Sequence, residues 1–444
     1  DPRSGEILES DIGWYHNVMN LLRNWYFIQT AAINPDAQSV QFKDEVMGRL
    51  VQFVSSHEVG HTLGLPHNFA SSHAYPVEKL RDPEFTKAMG TAPSIMDYAR
   101  FNYIAQPGDE GVSLMPNVGP YDKYAVAWGY RPILDAATPE DEQVILNEWI
   151  MAKQDDPVYR YGRQGNSYDP TAQSEDLGDN SMKASDYGIA NLKRIVPNLK
   201  KWTTETDKPF KDYDDLKEMY GQVISQYNRY MGHVKTNVGG VAEVYRAVSQ
   251  EEPIYTHTSK DIQKSAVAFL NKELFATQDW LMNDEIFART ADFGALETIR
   301  GVQVNTLNSL LDLGRLGRVI ENEALNGNDA YKITELFDDL RKGVWSEISA
   351  GKSIDVHRRA LQRAYIERME YLMTSDGPTI PAAYRRYLGP QINASQSDIR
   401  PMARGELKTL QRDIRSAISR TSDRMSKLHL EDALERINAI LDPK

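Results

Sequence analysis

His57-Glu58-Val59-Gly60-His61-Thr62-Leu63-Gly64-Leu65-Pro66-His67 sets three imidazoles, one carboxylate and a glycine at spacings suited to one divalent metal ion. On a helix, His57 and His61 stand four residues apart on one face and can reach the same ion. Glu58 lies beside them as a candidate general base. Gly64 can take the positive φ that ends the helix and turns the chain back, and His67 then offers a third nitrogen. Three protein ligands leave a fourth position for water, which marks a catalytic zinc site rather than a structural one. The chemistry of such a site is hydrolysis: zinc polarises a carbonyl and brings the pKa of its water toward neutrality, and Glu58 carries the proton to the leaving group. His73 falls beyond the pattern and reads as an ordinary loop histidine. His233, His257, His357 and His429 are scattered and are assigned to no metal.

Ser94-Ile95-Met96-Asp97-Tyr98 follows the third histidine. With the long zinc motif, this stretch resembles the metzincin metallopeptidases, whose signature is that motif plus a methionine-containing turn. The resemblance implies that Met96 lies beneath His57, His61 and His67, where a flexible, polarizable side chain can pack without competing for the metal. It also implies that Tyr98 alternates between the metal and a hydrogen bond to the reaction intermediate. The bland alternative for Tyr98 is a core aromatic whose hydroxyl finds a neighbour. Asn68, after the third histidine, departs from the acidic, serine, threonine or proline choices of the best-known branches.

Gly119-Pro120-Tyr121-Asp122-Lys123-Tyr124, Trp128-Gly129-Tyr130, Asp169-Pro170, Glu175-Asp176-Leu177-Gly178-Asp179 and Tyr187-Gly188-Ile189-Ala190-Asn191-Leu192-Lys193 extend the likeness. They look like the bacterial Met-zincin domain family of large exported proteins. That resemblance implies a zinc endopeptidase acting on a protein or peptide, an extracytoplasmic location, and upstream domains in a longer polypeptide.

The elements that must position the site follow from pattern. Val46, Leu50, Val54, His57 and His61 lie at helical intervals, so one long helix beginning near residue 43 carries the first two ligands on its buried stripe. Gly5 to Trp14 reads as an edge strand, and the family likeness places an extended substrate near residues 6 to 12; a simple surface hairpin is the alternative. The expected fold is α+β, with a metzincin-like catalytic region over 1–135, an irregular extension or linker over 136–211, and a helical domain over 212–444. The polar run Gly162-Arg163-Gln164-Gly165-Asn166-Ser167 marks the extension. Acidic residues there could hold a structural Ca²⁺, although no EF-hand spacing is present, and a solvated acidic loop is the alternative.

In the last region four apolar stripes predict core-facing helices. They are Ile333, Leu336, Phe337, Leu340, Val344 and Ile348; Leu407, Leu410, Ile414, Ala417 and Ile418; Ile262, Ala266, Phe269, Leu270 and Leu274; and Leu361, Tyr365, Met369 and Leu372, with Ser353 as N-cap. A helical bundle is their simplest home. Arg358-Arg359 and Arg385-Arg386 read as solvated helix surface.

The 444 residues suggest two to three domains. A balance of 51 basic and 63 acidic residues, net −12, argues against general nucleic-acid or anionic-membrane binding. No run is long and apolar enough for a transmembrane span, and the absence of cysteine excludes disulfides and thiolate metal sites. Two other functions fit the same residues: a non-catalytic or latent zinc module whose helical domain binds a surface polymer or protein, and a zinc hydrolase of non-peptide amides. The intact Glu58 argues against the first.

Overall fold

The computed structural model describes residues 1–163, 167–205, 207–291, 294–375, 377 and 392–443. Gln164, Gly165 and Asn166 of the polar run and the Arg385-Arg386 pair lie outside them. The chain is mostly helical with one small two-stranded sheet, β1 (Val241–Glu243) and β2 (Tyr255–His257), and forms two compact units. Unit 1 comprises residues 1–233, 242–256 and 283–291; unit 2 comprises 234–241, 257–282 and 292–444.

Unit 1 is built around α1 (Asn17–Thr30) and α2 (Asp44–Thr62). Asp44 and Glu45 occupy the first turn of α2, where acidic side chains complement the helix dipole. Of the expected stripe, Leu50 and His57 are buried while Val46 and Val54 are only half-buried; Gly60 is buried as well. Both helices grip the segment after the methionine turn: Tyr26 of α1 and Phe53 of α2 meet the edge or face of Phe101, and Gln29 Oε1 accepts the Phe101 N–H at 3.0 Å.

Residues 5–14 form no strand; among the described residues no strand pairs with them, and they are exposed throughout. The expectation of an edge strand there is corrected: alternating apolar residues specify a strand only when a neighbouring ladder takes up the backbone N–H and C=O groups. The expected irregular extension also contains helices: α5 (Pro139–Met151), α6 (Ser181–Ile195) and the short α7 (Leu199–Thr203), after α3 (Pro83–Met89) and α4 (Pro120–Tyr130). In α6, Gly188 lets Tyr230 of α8 (Asp214–Thr236) approach so closely that a Cβ would collide with its ring.

Unit 2 is a bundle of amphipathic helices, with 356–374, 399–418 and 424–441 packed on one another. The stripes on 333–344, 356–374 and 399–418 are buried as predicted, with Ile348 and Ile418 half-buried at their ends. Three details differ. Ile262 is exposed and Gln263 takes its place in the core, where its amide bonds the Gly239 N–H and the Thr258 carbonyl. The N-cap of 356–374 is Asp355, whose carboxylate accepts from both His357 and Arg358 N–H groups, rather than Ser353. Arg358 is buried, not solvated: its guanidinium pairs with Glu347 at 2.5 Å and donates to the carbonyls of Phe275, Gly343 and Val344. A planar five-donor fork can close several helix ends at once, and that offsets its desolvation.

Candidate metal centre

His57 and His61 leave the last turns of α2, and Gly64 ends the helix with φ +84°. Leu65 N–H returns to the Gly60 carbonyl at 3.1 Å and Gly64 N–H to the His61 carbonyl at 2.9 Å, the paired bonds of a Schellman turn. The turn brings His67 back against the helix. The three histidines form the only group of three or more His, Asp or Glu side chains among the described residues whose ligand atoms converge, all within 4.8 Å of one another.

Their tautomers can be read from their partners. His57 Nδ1 lies 2.7 Å from the Ile95 carbonyl and His61 Nδ1 lies 2.8 Å from the Leu65 carbonyl. A carbonyl only accepts, so each Nδ1 carries the proton and each Nε2 presents a lone pair. Those lone pairs face His67 Nε2 at 3.3 and 3.2 Å. Ligands held tetrahedrally about 2.05 Å from a zinc ion stand about 3.3 Å apart, and both edges that meet at His67 Nε2 have that length. Burial, with His61 and His67 alongside, lowers the His57 pKa and favours the neutral, coordinating imidazole.

Met96 is fully buried beneath α2. A Cβ at position 60 would overlap its sulfur, so Gly60 is the glycine that lets the methionine turn reach the helix. Tyr98 stands over the cluster, with ring centroids 4.5 Å from His67 and 5.4 Å from His57. Burial and the nearby Glu58 carboxylate raise the pKa of its hydroxyl, while Arg100 opposes them, so at neutral pH it remains a donor.

The longer motifs acquire physical roles. Asp122, at the third position of α4, accepts from Gly119 N–H at 2.7 Å, Ile95 N–H at 2.8 Å and Ser94 Oγ at 2.6 Å, fastening the methionine turn to α4. Gly119 is required because a Cβ there would overlap the Pro93 carbonyl. Asn68 is buried and stitches three segments: its N–H meets the Met96 carbonyl at 3.2 Å, its Nδ2 donates to the Arg160 carbonyl, and its Oδ1 accepts from Gly162, both at 2.9 Å. The two bonds use separate amide atoms, a donor nitrogen and an acceptor oxygen, which no apolar or charged side chain supplies together. Further along, Asp179 accepts Val77 N–H at 3.0 Å, and Asn191 Nδ2 donates to the carbonyls of Tyr103 and Ala105.

Sequence reasoning missed the supporting carboxylates because their partners are distant in the chain. Asp97, in the methionine turn, accepts Ser72 N–H at 2.6 Å, and Ser72 Oγ donates to Asp176 at 3.1 Å. Burial raises both acids, Asp176 to about 7. Glu175 pairs with Arg100 and Arg229. Asp169 accepts from Thr171 and from Glu243 N–H. Asp169, Glu175, Asp176 and Asp179 are thus occupied by backbone N–H, hydroxyl and guanidinium groups, and among the described residues no converging acidic group supports calcium. Nor is any described helix long and apolar enough to cross a membrane.

No curated protein and no solved structure matches the chain. Residues 39–352 match the Met-zincin family, a span that includes the three histidines, the methionine turn and most of the motifs just described. With well over half its length in that match and a histidine triad able to hold zinc, the chain belongs to the Met-zincin family.

Proposed function

We propose that the protein is a zinc-dependent endopeptidase that hydrolyses peptide bonds in protein or peptide substrates, with His57, His61 and His67 as ligands and Glu58 as general base. The observation that carries this reading is the convergence of three imidazoles with two lone-pair Nε2 atoms aimed at a common point, beside a carboxylate on the same helix. A zinc ion held there would supply a nucleophilic water at neutral pH and polarise the scissile carbonyl. Glu58, one residue from His57, takes a proton from the attacking water and returns it to the departing amine nitrogen. Tyr98, kept protonated by burial, donates to the oxygen that gains charge. The Ile95 and Leu65 carbonyls hold the two helix imidazoles in the coordinating tautomer.

A peptide library incubated with the parent chain and with Glu58→Ala, zinc content being recorded for both, tests the assignment. The expected result is equal zinc in both and turnover reduced about 10²–10⁴-fold in Glu58→Ala, the range for loss of a general base. Equal zinc with no cleavage by either protein would instead favour the non-catalytic module.

A further inference from the structure

Beside the turn that delivers His67, unit 1 contains a cleft of about 710 Å³, bordered by Gly64, Leu65 and Pro66. Roughly 300–1,000 Å³ is the usual size of a site that engulfs a ligand group. Its far walls are aromatic: Tyr121, Tyr124 and Trp128 from α4, Tyr159 from the following loop, and Tyr245 from the segment after β1. The charged groups on its lining are mainly cationic, with Lys153, Arg160 and Arg246 against Asp155.

These cations are not equivalent. Arg160 is paired with Asp169 at 3.5 Å and donates to the Glu243 carbonyl at 2.8 Å, and Lys153 lies over the Tyr159 ring at 4.6 Å. Arg246 has no carboxylate within ion-pair distance among the described residues, and its buried Nε, like that of Arg160, has no hydrogen-bond partner. A guanidinium N–H left unmade in a buried place is costly, and a carboxylate is the group that best matches its fork. Aromatic walls with an unpaired guanidinium are therefore complementary to a ligand that is aromatic and anionic together.

The cleft and the metal centre share their walls. Leu65, on the rim, receives the His61 Nδ1 proton through its carbonyl, and Arg160, on another wall, receives the Asn68 amide directly after His67. A side chain lodged in the cleft is thus held against the same two segments that hold two of the ligands.

We propose that this cleft is the specificity pocket of the enzyme, taking a large aromatic side chain that stands next to an acidic residue in the substrate, with Trp128 contacting the ring and Arg246 the carboxylate. The assignment rests on the peptidase reading above for its substrate class, but binding tests it separately from catalysis.

The probes are acetyl-Gly-Asp-Tyr-Gly-Gly-amide and its Tyr→Ala and Asp→Asn analogues. Their dissociation constants would be measured by calorimetry on the full zinc-loaded chain carrying Glu58→Ala, alone and combined with Trp128→Ala or Arg246→Gln; cleavage of each peptide by the parent would be followed in parallel. The expected result is at least tenfold tighter binding of the Asp-Tyr peptide than of either analogue. Trp128→Ala should abolish the tyrosine preference, and Arg246→Gln should abolish the aspartate preference while keeping that for tyrosine. Equal binding of the three peptides to Glu58→Ala alone would overturn the proposal, as would preferences that survive both pocket substitutions in folded protein. Preferences that follow the pocket residues without any cleavage by the parent would support the pocket and count against the peptidase reading alone.

Discussion

His57 donates its Nδ1 proton to the Ile95 carbonyl, and Ile95 donates its own N–H to Asp122, so a carboxylate on α4 sets the orientation of the first imidazole through a single residue. Asp122 makes three such bonds from a buried position. Removing it leaves three donors without an acceptor, each costing about 1–3 kcal/mol where water cannot replace it. Asp122→Ala should therefore lower the thermal midpoint and, in the protein that remains folded, weaken zinc binding about 10–100-fold, the usual effect of losing a group behind a metal ligand. Titration with a competing chelator measures this directly; a folded variant that holds zinc as tightly as the parent would mean that Ile95 keeps its place without Asp122. Gly60 belongs to the same scale of argument. It stands inside the zinc motif at a position where the spacing alone demands no particular residue, yet the sulfur of Met96 fills the space of its absent side chain.

At the scale of elements, α2 delivers two histidines of the triad and its terminating turn delivers the third. Gly64 sits at φ +84° with only the Ile7 methyl near the site of an added Cβ, at 3.7 Å, so substitution there is penalised through the backbone and not through a clash. Gly64→Ala should cost about 1–2 kcal/mol of stability and, because the Schellman bonds aim His67, should also weaken zinc affinity. Gly108→Ala is the control: at φ +102° with nothing within 4 Å, it carries the same kind of backbone strain away from the turn and should leave zinc affinity unchanged. Equal zinc loss in both variants would detach the turn from the metal centre.

Much at this scale is legible in sequence, for a reason that also explains the failures. The zinc helix, its glycine stop and the stripes of 333–344, 356–374 and 399–418 depend on neighbours three or four residues away. The strand expected at 5–14 needs a partner strand, which local pattern cannot supply. Asn68, Asp122 and Asp176 act on chain segments 27 to 104 residues distant, so their motifs were visible while their roles were not. Arg358 reads as surface by residue type, and only the converging carbonyls of 275, 343 and 344 make a buried site for it.

At the scale of the molecule, each unit contains a buried histidine and a buried acid whose proton affinities move apart. In unit 1, burial takes His233 down to about 4 and Asp176 up to about 7. In unit 2, burial takes His429 down to about 4, with Arg363 and Arg359 acting in the same direction and Asp432 against it, and takes Glu406 up to about 7 despite the opposing Arg341 and Tyr365. The two kinds of group have opposite linkage to pH. Below the unfolded histidine value near 6.5, the unfolded chain takes up a proton that folded His429 refuses, so stability is lost as pH falls and the loss levels off near 4. Folded Glu406 keeps a proton that the unfolded chain releases above the ordinary carboxylate range, so its contribution is complete at low pH and is lost as pH rises through 7. Substituting one group at a time separates the slopes. Relative to the parent, His429→Gln should gain about 2 kcal/mol between pH 8 and pH 5, whereas Glu406→Gln should lose a comparable amount over the same interval. Urea unfolding of the three proteins at the two pH values, with the difference in unfolding free energy taken against the parent at each pH, isolates these terms from the surface carboxylates common to all. A His429→Gln profile parallel to that of the parent would show that the imidazole, 2.9 Å from Gln362 Oε1, takes a proton in the folded protein as readily as in the unfolded chain, and the burial of 424–441 against 356–374 would then be looser than their packing implies.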